Sequence, residues 1–161
     1  MESRLILISP FAQKLRNSKP NPKSPTPDWW AAVLKDLDLP VVQIGLAGEP
    51  ALAPDFRAGL SLGRITELVR ACATWVSVDS FLPHLAHHVG IPGVVVWSRS
   101  DPNLFGYPDN WNLLKSREYL RKNPFGMWEE EEFDSEAFPE IDAVILAVRQ
   151  SIGLAAWRRA A

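Results

Sequence analysis

Residues 75–97 read WVSVDSFLPHLAHHVGIPGVVVW. An apolar run, Trp75 to Val78, stops at Asp79-Ser80. Helical spacing then carries Leu85 and Val89 toward a stop at Gly90, with Pro83 tolerated in the first turn. Pro92 leads into a second apolar run, Val94 to Trp97. Short, nearly continuous runs of β-branched and aromatic residues are what strands buried on both faces require. Two such strands with a helix between them read as one parallel β-α-β unit.

The same signals extend outward. Leu5 to Ile8 and Val41 to Ile44 repeat the strand pattern. Trp30, Val33, Leu34 and Leu37 share a helical face, opened by Thr26 as N-cap with Pro27 at the first helical position. Ile65, Leu68, Val69 and Cys72 mark another helix. Ile141, Val144, Ile145, Val148 and Ile152 mark the last, which begins near Pro139, lies across the sheet and is expected to fray from Leu154 onward. Strands alternating with helices predict an α/β fold, a Rossmann-like doubly wound parallel sheet in a single domain spanning residues 1–161. Two loops, Phe11 to Pro25 and Asp101 to Phe138, are long enough to suggest function. The acidic run Glu129 to Glu132 reads as solvated surface, because adjacent carboxylates point in different directions.

Composition narrows the function. A net charge of -2, from 17 basic and 19 acidic residues, makes no global electrostatic case for nucleic acid or an anionic membrane, so any anion site must be local. The lone cysteine, Cys72, has no partner for an internal disulfide and sits in an apolar pattern, as expected in a reducing compartment. No signal peptide and no apolar run of about 18 residues is present, so the reading is a soluble, cytoplasmic protein without a membrane span.

In open parallel sheets, ligands sit beyond the carboxyl ends of the strands. Ser9 and a basic loop with Lys14, Arg16, Lys19 and Lys23 follow the first strand; Gly45, Gly48 and Glu49 follow the second. Asp79 and Ser80, then His84 one helical turn on, follow the third, and Ser98, Arg99, Ser100 and Asp101 the fourth. Small residues admit close backbone approach, lysines bring positive charge and a helix N-terminus offers free N–H groups, which together describe a phosphate site. Ser80 suits phosphate contact and equally a plain helix cap. Glu49 suits a ribose hydroxyl acceptor. His84 and His88 share a helical face, but no third ligand is spaced to complete a metal shell, and no metal or other cofactor is expected. Neither GxGxxG nor GxxxxGK[ST] occurs, and no nucleophilic triad can be assigned.

Ser61-Leu62, the stretch from Val76 through Asp79-Ser80 and His84-Leu85 to Gly90-Ile91-Pro92, and Ser100-Asp101-Pro102 resemble the second domain of glycosyltransferase family 9, the lipopolysaccharide heptosyltransferases of GT-B fold. Ile8-Ser9-Pro10, Lys23 with Trp29-Trp30, and Gly48-Glu49 extend the resemblance over nearly the whole chain. The resemblance implies that Lys23 contacts donor phosphate, that Glu49 contacts the ribose and that Leu60 lies near the base. It sets Asp79, Ser80 and His84 around the diphosphate and the transferred sugar, with Asp79 and His84 the catalytic candidates. Phe81 stands where the family has glycine, and Ser98-Arg99-Ser100 replaces a Gly-Pro-Thr turn.

The family's acceptor-binding first domain has no counterpart here. The expectation is therefore a nucleotide-sugar-binding donor half, inactive alone, that obtains its acceptor site from a companion chain or a homo-oligomer. The alternative is a non-catalytic module that senses or sequesters a nucleotide-derived ligand. Phe81, Trp97 and Phe105 are expected to border the pocket mouth.

Overall fold

The computed structural model describes residues 4–161. Six parallel strands form one sheet in the order β3-β2-β1-β4-β5-β6. They are β1 (Ile6–Ser9), β2 (Val41–Gly45), β3 (Asp55–Ala58), β4 (Thr74–Val78), β5 (Val94–Val96) and β6 (Trp111–Leu113). The register sets Ile6 beside both Val41 and Thr74, and Val94 beside Val76 and Trp111. The chain steps one way from β1 to β3 and the other way from β4 to β6, so the switch point lies between β1 and β4. That is where an open α/β sheet forms its crevice.

The four strands expected from apolar runs are present, and two more join them. β3 is largely exposed and β6 only half-buried, and both are edge strands. An edge strand need not bury both faces, so neither carries the continuous apolar signal that reveals the interior ones.

Both faces of the sheet are covered. Ile6, Ile8, Val76, Val78, Val94 and Val96 meet Trp30 and Val33 of α1 (Pro27–Leu34) and Val144, Ala147 and Val148 of α5 (Ile141–Ala160). Leu7, Ile44, Trp75, Val95 and Trp97 meet α2 (Leu62–Ala71) and α3 (Phe81–His88). The alternation Ile6-Leu7-Ile8 between the two clusters is the two-residue period of a strand buried on both sides. α5 continues through Ala160, past the expected fraying point.

Three buried tryptophans also tie two loops and the edge strand β6 to the core, since a buried indole N–H needs an acceptor. Trp30 Nε1 donates to Pro10 O at 3.1 Å, Trp75 Nε1 to Ile91 O at 2.9 Å and Trp97 Nε1 to Asn112 Oδ1 at 2.9 Å. α3 ends at Gly90, whose φ of 76° is the left-handed turn that a glycine stop provides. The stretch after β5 contains α4 (Pro102–Phe105), β6 and three 3₁₀ turns, and so folds back over the sheet as an ordered segment.

Candidate functional site

At the carboxyl edge, Ser9, Lys23, Glu49, Leu60 and Ser80 line one cavity of about 430 Å³, walled by Phe11 and Phe81. A neighbouring chamber of about 630 Å³ shares Phe11, Ala12, Leu46 and Glu49 with it. Of the basic loop, only Lys23 lines the first cavity; Lys14 and Lys19 border the second, and Lys19 also pairs with Glu132 at 3.3 Å.

Lys23 is held by its loop. Its N–H donates to Asn21 Oδ1 at 2.9 Å, and buried Ser98 donates to the neighbouring Pro22 carbonyl at 3.0 Å. Lys23 Nζ lies 3.7 Å from Asp79 Oδ2, the two side chains being 18% and 15% exposed. The separation exceeds that of a tight charged hydrogen bond, so the ammonium keeps capacity for a further anion. Ser100 is buried under the same edge, but no ligand-facing contact distinguishes it.

Glu49 reaches back over Gly45, and its Oε2 is buried without a hydrogen-bond partner. A Cβ on Gly45 would overlap that oxygen. Burial pushes the carboxyl above its usual range, opposed by a hydrogen bond from the Leu46 backbone. A buried acceptor without a donor costs free energy that a ligand hydroxyl would recover.

Ser80 occupies the N-cap position of α3 but makes no side-chain cap. Its Oγ instead lies 3.2 Å from Ser77 Oγ. The plain-cap reading of Ser80 therefore does not describe its side chain, and the first amides of α3 keep their capacity to donate to an anion.

His84 stands apart from the cavity. Its Nδ1 lies 2.7 Å from Tyr107 Oη, and His87 stacks on the same tyrosine ring at 3.8 Å. Phe81 is 43% exposed and lines the cavity, Phe105 packs against Phe125, and Trp97 is 1% exposed. Trp97 is thus a core residue and not part of the mouth, because its face of β5 turns inward under α2 and α3.

Sequence reasoning missed the side chains that the segment after β6 brings up to Lys23. Arg121 lies over the Trp128 ring at 3.7 Å, and Lys23 lies 5.3 Å from the same ring. Arg121 donates to the Gly126 and Pro124 carbonyls at 2.8 Å each, and burial lowers its pKa against the opposing pull of Glu131 and Asp79. Glu131 pairs with Arg99 at 2.9 Å and is only 19% exposed. The solvated reading of the acidic run fails there, because Glu131 answers a charge 32 positions away. A composition skewed to aromatics and charge was the only signal available.

A glycosyl transferase family 9 structure from Veillonella parvula DSM 2008 matches with a TM-score of 0.69 at 17% identity, covering 94% of this chain and 46% of that one. The chain has the fold of half a GT-B enzyme. The dodecameric iron-containing heptosyltransferase TibC, in complex with ADP-D-beta-D-heptose, matches with a TM-score of 0.55 at 17% identity, covering 96% of this chain and 45% of that one. TibC from enterotoxigenic E. coli H10407 gives 0.58 at 17% identity, covering 98% and 46%. This chain thus spans less than half the length of the solved structures it matches. No family model matches the sequence, and no curated protein does. Among the described residues, no group of three or more His, Cys, Asp or Glu is arranged to hold a metal ion. No helix among the described residues is long and apolar enough to cross a membrane.

Proposed function

We propose that this domain binds the nucleoside diphosphate of a nucleotide sugar and serves as the donor half of a glycosyltransferase whose acceptor site is supplied by another segment or chain. One observation carries the reading: Lys23, the Glu49 carboxyl with its unpartnered Oε2 and the uncapped start of α3 share a single cavity beside the β1–β4 switch point. Glu49 would take a ribose hydroxyl and Leu60 an apolar face of the base. Lys23, Ser9, Ser80 and the α3 amides would hold the diphosphate. As the glycosidic bond breaks, negative charge grows on the departing diphosphate, and a fixed cation with aligned amides stabilises charge where it develops. Asp79, beside Lys23, and His84, held by Tyr107, are the groups proposed to meet the transferred sugar. The ADP-heptose in TibC supports a donor of this class.

Phe81 favours a second reading. Its ring fills part of the wall where the family has glycine, as would suit a module that retains a nucleotide without transferring a sugar.

Calorimetry with a nucleoside and its diphosphate tests the common element: the diphosphate is expected to bind more tightly, and equal affinities would overturn both readings. Incubation with nucleotide sugars and acceptors tests the half-enzyme reading. A positioned general base alone contributes roughly 10²–10⁴-fold, so the isolated chain is expected to bind donor with no more than slow hydrolysis. Multiple-turnover transfer by a monomer would end the half-enzyme reading.

A further inference from the structure

The amino end of the sheet, opposite the nucleotide cavity, carries a second concentration of positive charge. Arg57, Arg64, Arg99, Arg117 and Arg149 each meet a carboxylate, and Arg121 meets two carbonyls. The side chains of Arg70, Arg158 and Arg159 make no hydrogen bond or ion pair among the described residues. These three converge on one cleft of about 200 Å³, with Val69, Cys72, Ile91 and Leu154 also in its wall and no Asp or Glu lining it.

Local effects explain part of this placement. Arg70 lies in the last turn of α2, and Arg158 and Arg159 lie in the last turn of α5, where cations complement the helix dipole. Dipoles account for a cation at each helix end. They do not account for three arginines lining one cleft that has no acidic residue in its wall, in a chain with more acidic than basic residues. Arg159 also lies close enough to Cys72 for its charge to act on the thiol, which burial nonetheless pushes up to about 12. The thiol therefore stays neutral and serves as apolar wall.

We propose that this cleft binds a phosphate monoester carried on a small apolar body. Guanidinium groups match phosphate with paired N–H donors, and three of them exceed what one carboxylate would need. The apolar wall of Val69, Ile91 and Leu154 takes the organic part. A volume of about 200 Å³ is below the roughly 300–1,000 Å³ typical of drug-sized ligand sites, too small to enclose a whole nucleotide, and the cleft shares no lining residue with the donor cavity. The ester has two possible sources, a soluble phosphate ester or an acidic lipid headgroup, and exposed Trp157 beside Arg158 lies within reach of the second.

Calorimetry with phenyl phosphate tests the site, performed with the donor cavity saturated by nucleoside diphosphate and repeated on Lys23→Ala. Phenyl phosphate is expected to bind equally in both cases, and at least tenfold more weakly to an Arg158→Gln/Arg159→Gln variant whose thermal melt is unchanged. Arg70→Gln, on a different helix, should reproduce the loss. Co-sedimentation with vesicles of phosphatidic acid in phosphatidylcholine separates the sources. Pelleting that the double variant abolishes assigns a headgroup, and phenyl phosphate binding without pelleting assigns a soluble ester. The proposal is overturned if neither probe binds, if binding survives in the arginine variants, or if nucleoside diphosphate displaces phenyl phosphate.

Discussion

Ser61 and Ser80 each stand immediately before a helix on the same face of the sheet, and their side chains act differently. Ser61, at φ -66° and ψ 156°, accepts a hydrogen bond from Arg64 N at 3.3 Å and closes the start of α2. Ser80, at φ -155° and ψ -156°, turns its hydroxyl toward Ser77 and leaves the start of α3 open. Identical residue types at the equivalent position therefore produce a sealed end and an available one. The difference teaches that a helix start is a ligand seat only when the protein's own side chains decline it. Lys23 beside Asp79 adds the charge that makes the open end suitable for an anion.

The largest expected effect falls on Lys23. Lys23→Ala should weaken nucleoside diphosphate binding by about 1–3 kcal/mol, the scale of a lost charged hydrogen bond, and leave nucleoside binding unchanged. Arg64→Ala, at the sealed helix, should change neither. Calorimetry showing equal losses in both variants would break the contrast between the two helix starts.

Next come the serines. Ser61→Ala should cost about 0.5–2 kcal/mol of stability, the usual value of an N-cap, without touching affinity. Ser80→Ala should cost less stability, because no cap is lost, and should weaken diphosphate binding. Denaturant melts paired with binding curves check this, and a full capping loss at Ser80 would show that its hydroxyl serves the helix after all.

The smallest effect concerns Glu49. Burial raises its folded pKa above the ordinary 4.5, so the folded state holds the proton more readily than the unfolded chain. Stability then falls as pH rises from the ordinary value through the raised one, and the penalty persists above it. Glu49→Gln should accordingly melt slightly higher than the parent at neutral pH, with the gap closing on acidification, while recognition of the ribose weakens. A melting difference that does not vary with pH would remove burial of charge as its cause.

The interior of the fold was legible because β1, β2, β4 and β5 must be apolar on both faces. β3 was not, since Asp55 and Arg57 pair with each other along an exposed edge and leave no apolar run. Ser9, Lys23, Glu49 and Ser80, read from the strand exits and the first loop, share one cavity with Leu60, which only the resemblance pointed to, whereas Asp79, His84, Ser98 and Ser100 do not line it. Trp128, which also carries Arg121 on its ring, comes up to Lys23 from a distant part of the sequence, and no local periodicity records such a contact. Likewise, the sequence identifies Ser80 as an N-cap residue, whereas the direction of its hydroxyl depends on the backbone angles imposed where β4 meets α3.

Gly45 gives this edge a property useful to anyone dissecting it. A methyl group there would collide with the end of the Glu49 side chain, a flexible part that can move aside, while the backbone at Gly45 is one that alanine tolerates. Gly45→Ala is therefore expected to displace the Glu49 carboxylate without removing it, preserving charge. The hydrogen on Gly45 acts as a gauge that fixes where the Glu49 carboxyl rests, so on the proposed reading this position would tune the ligand's pose rather than the integrity of the sheet.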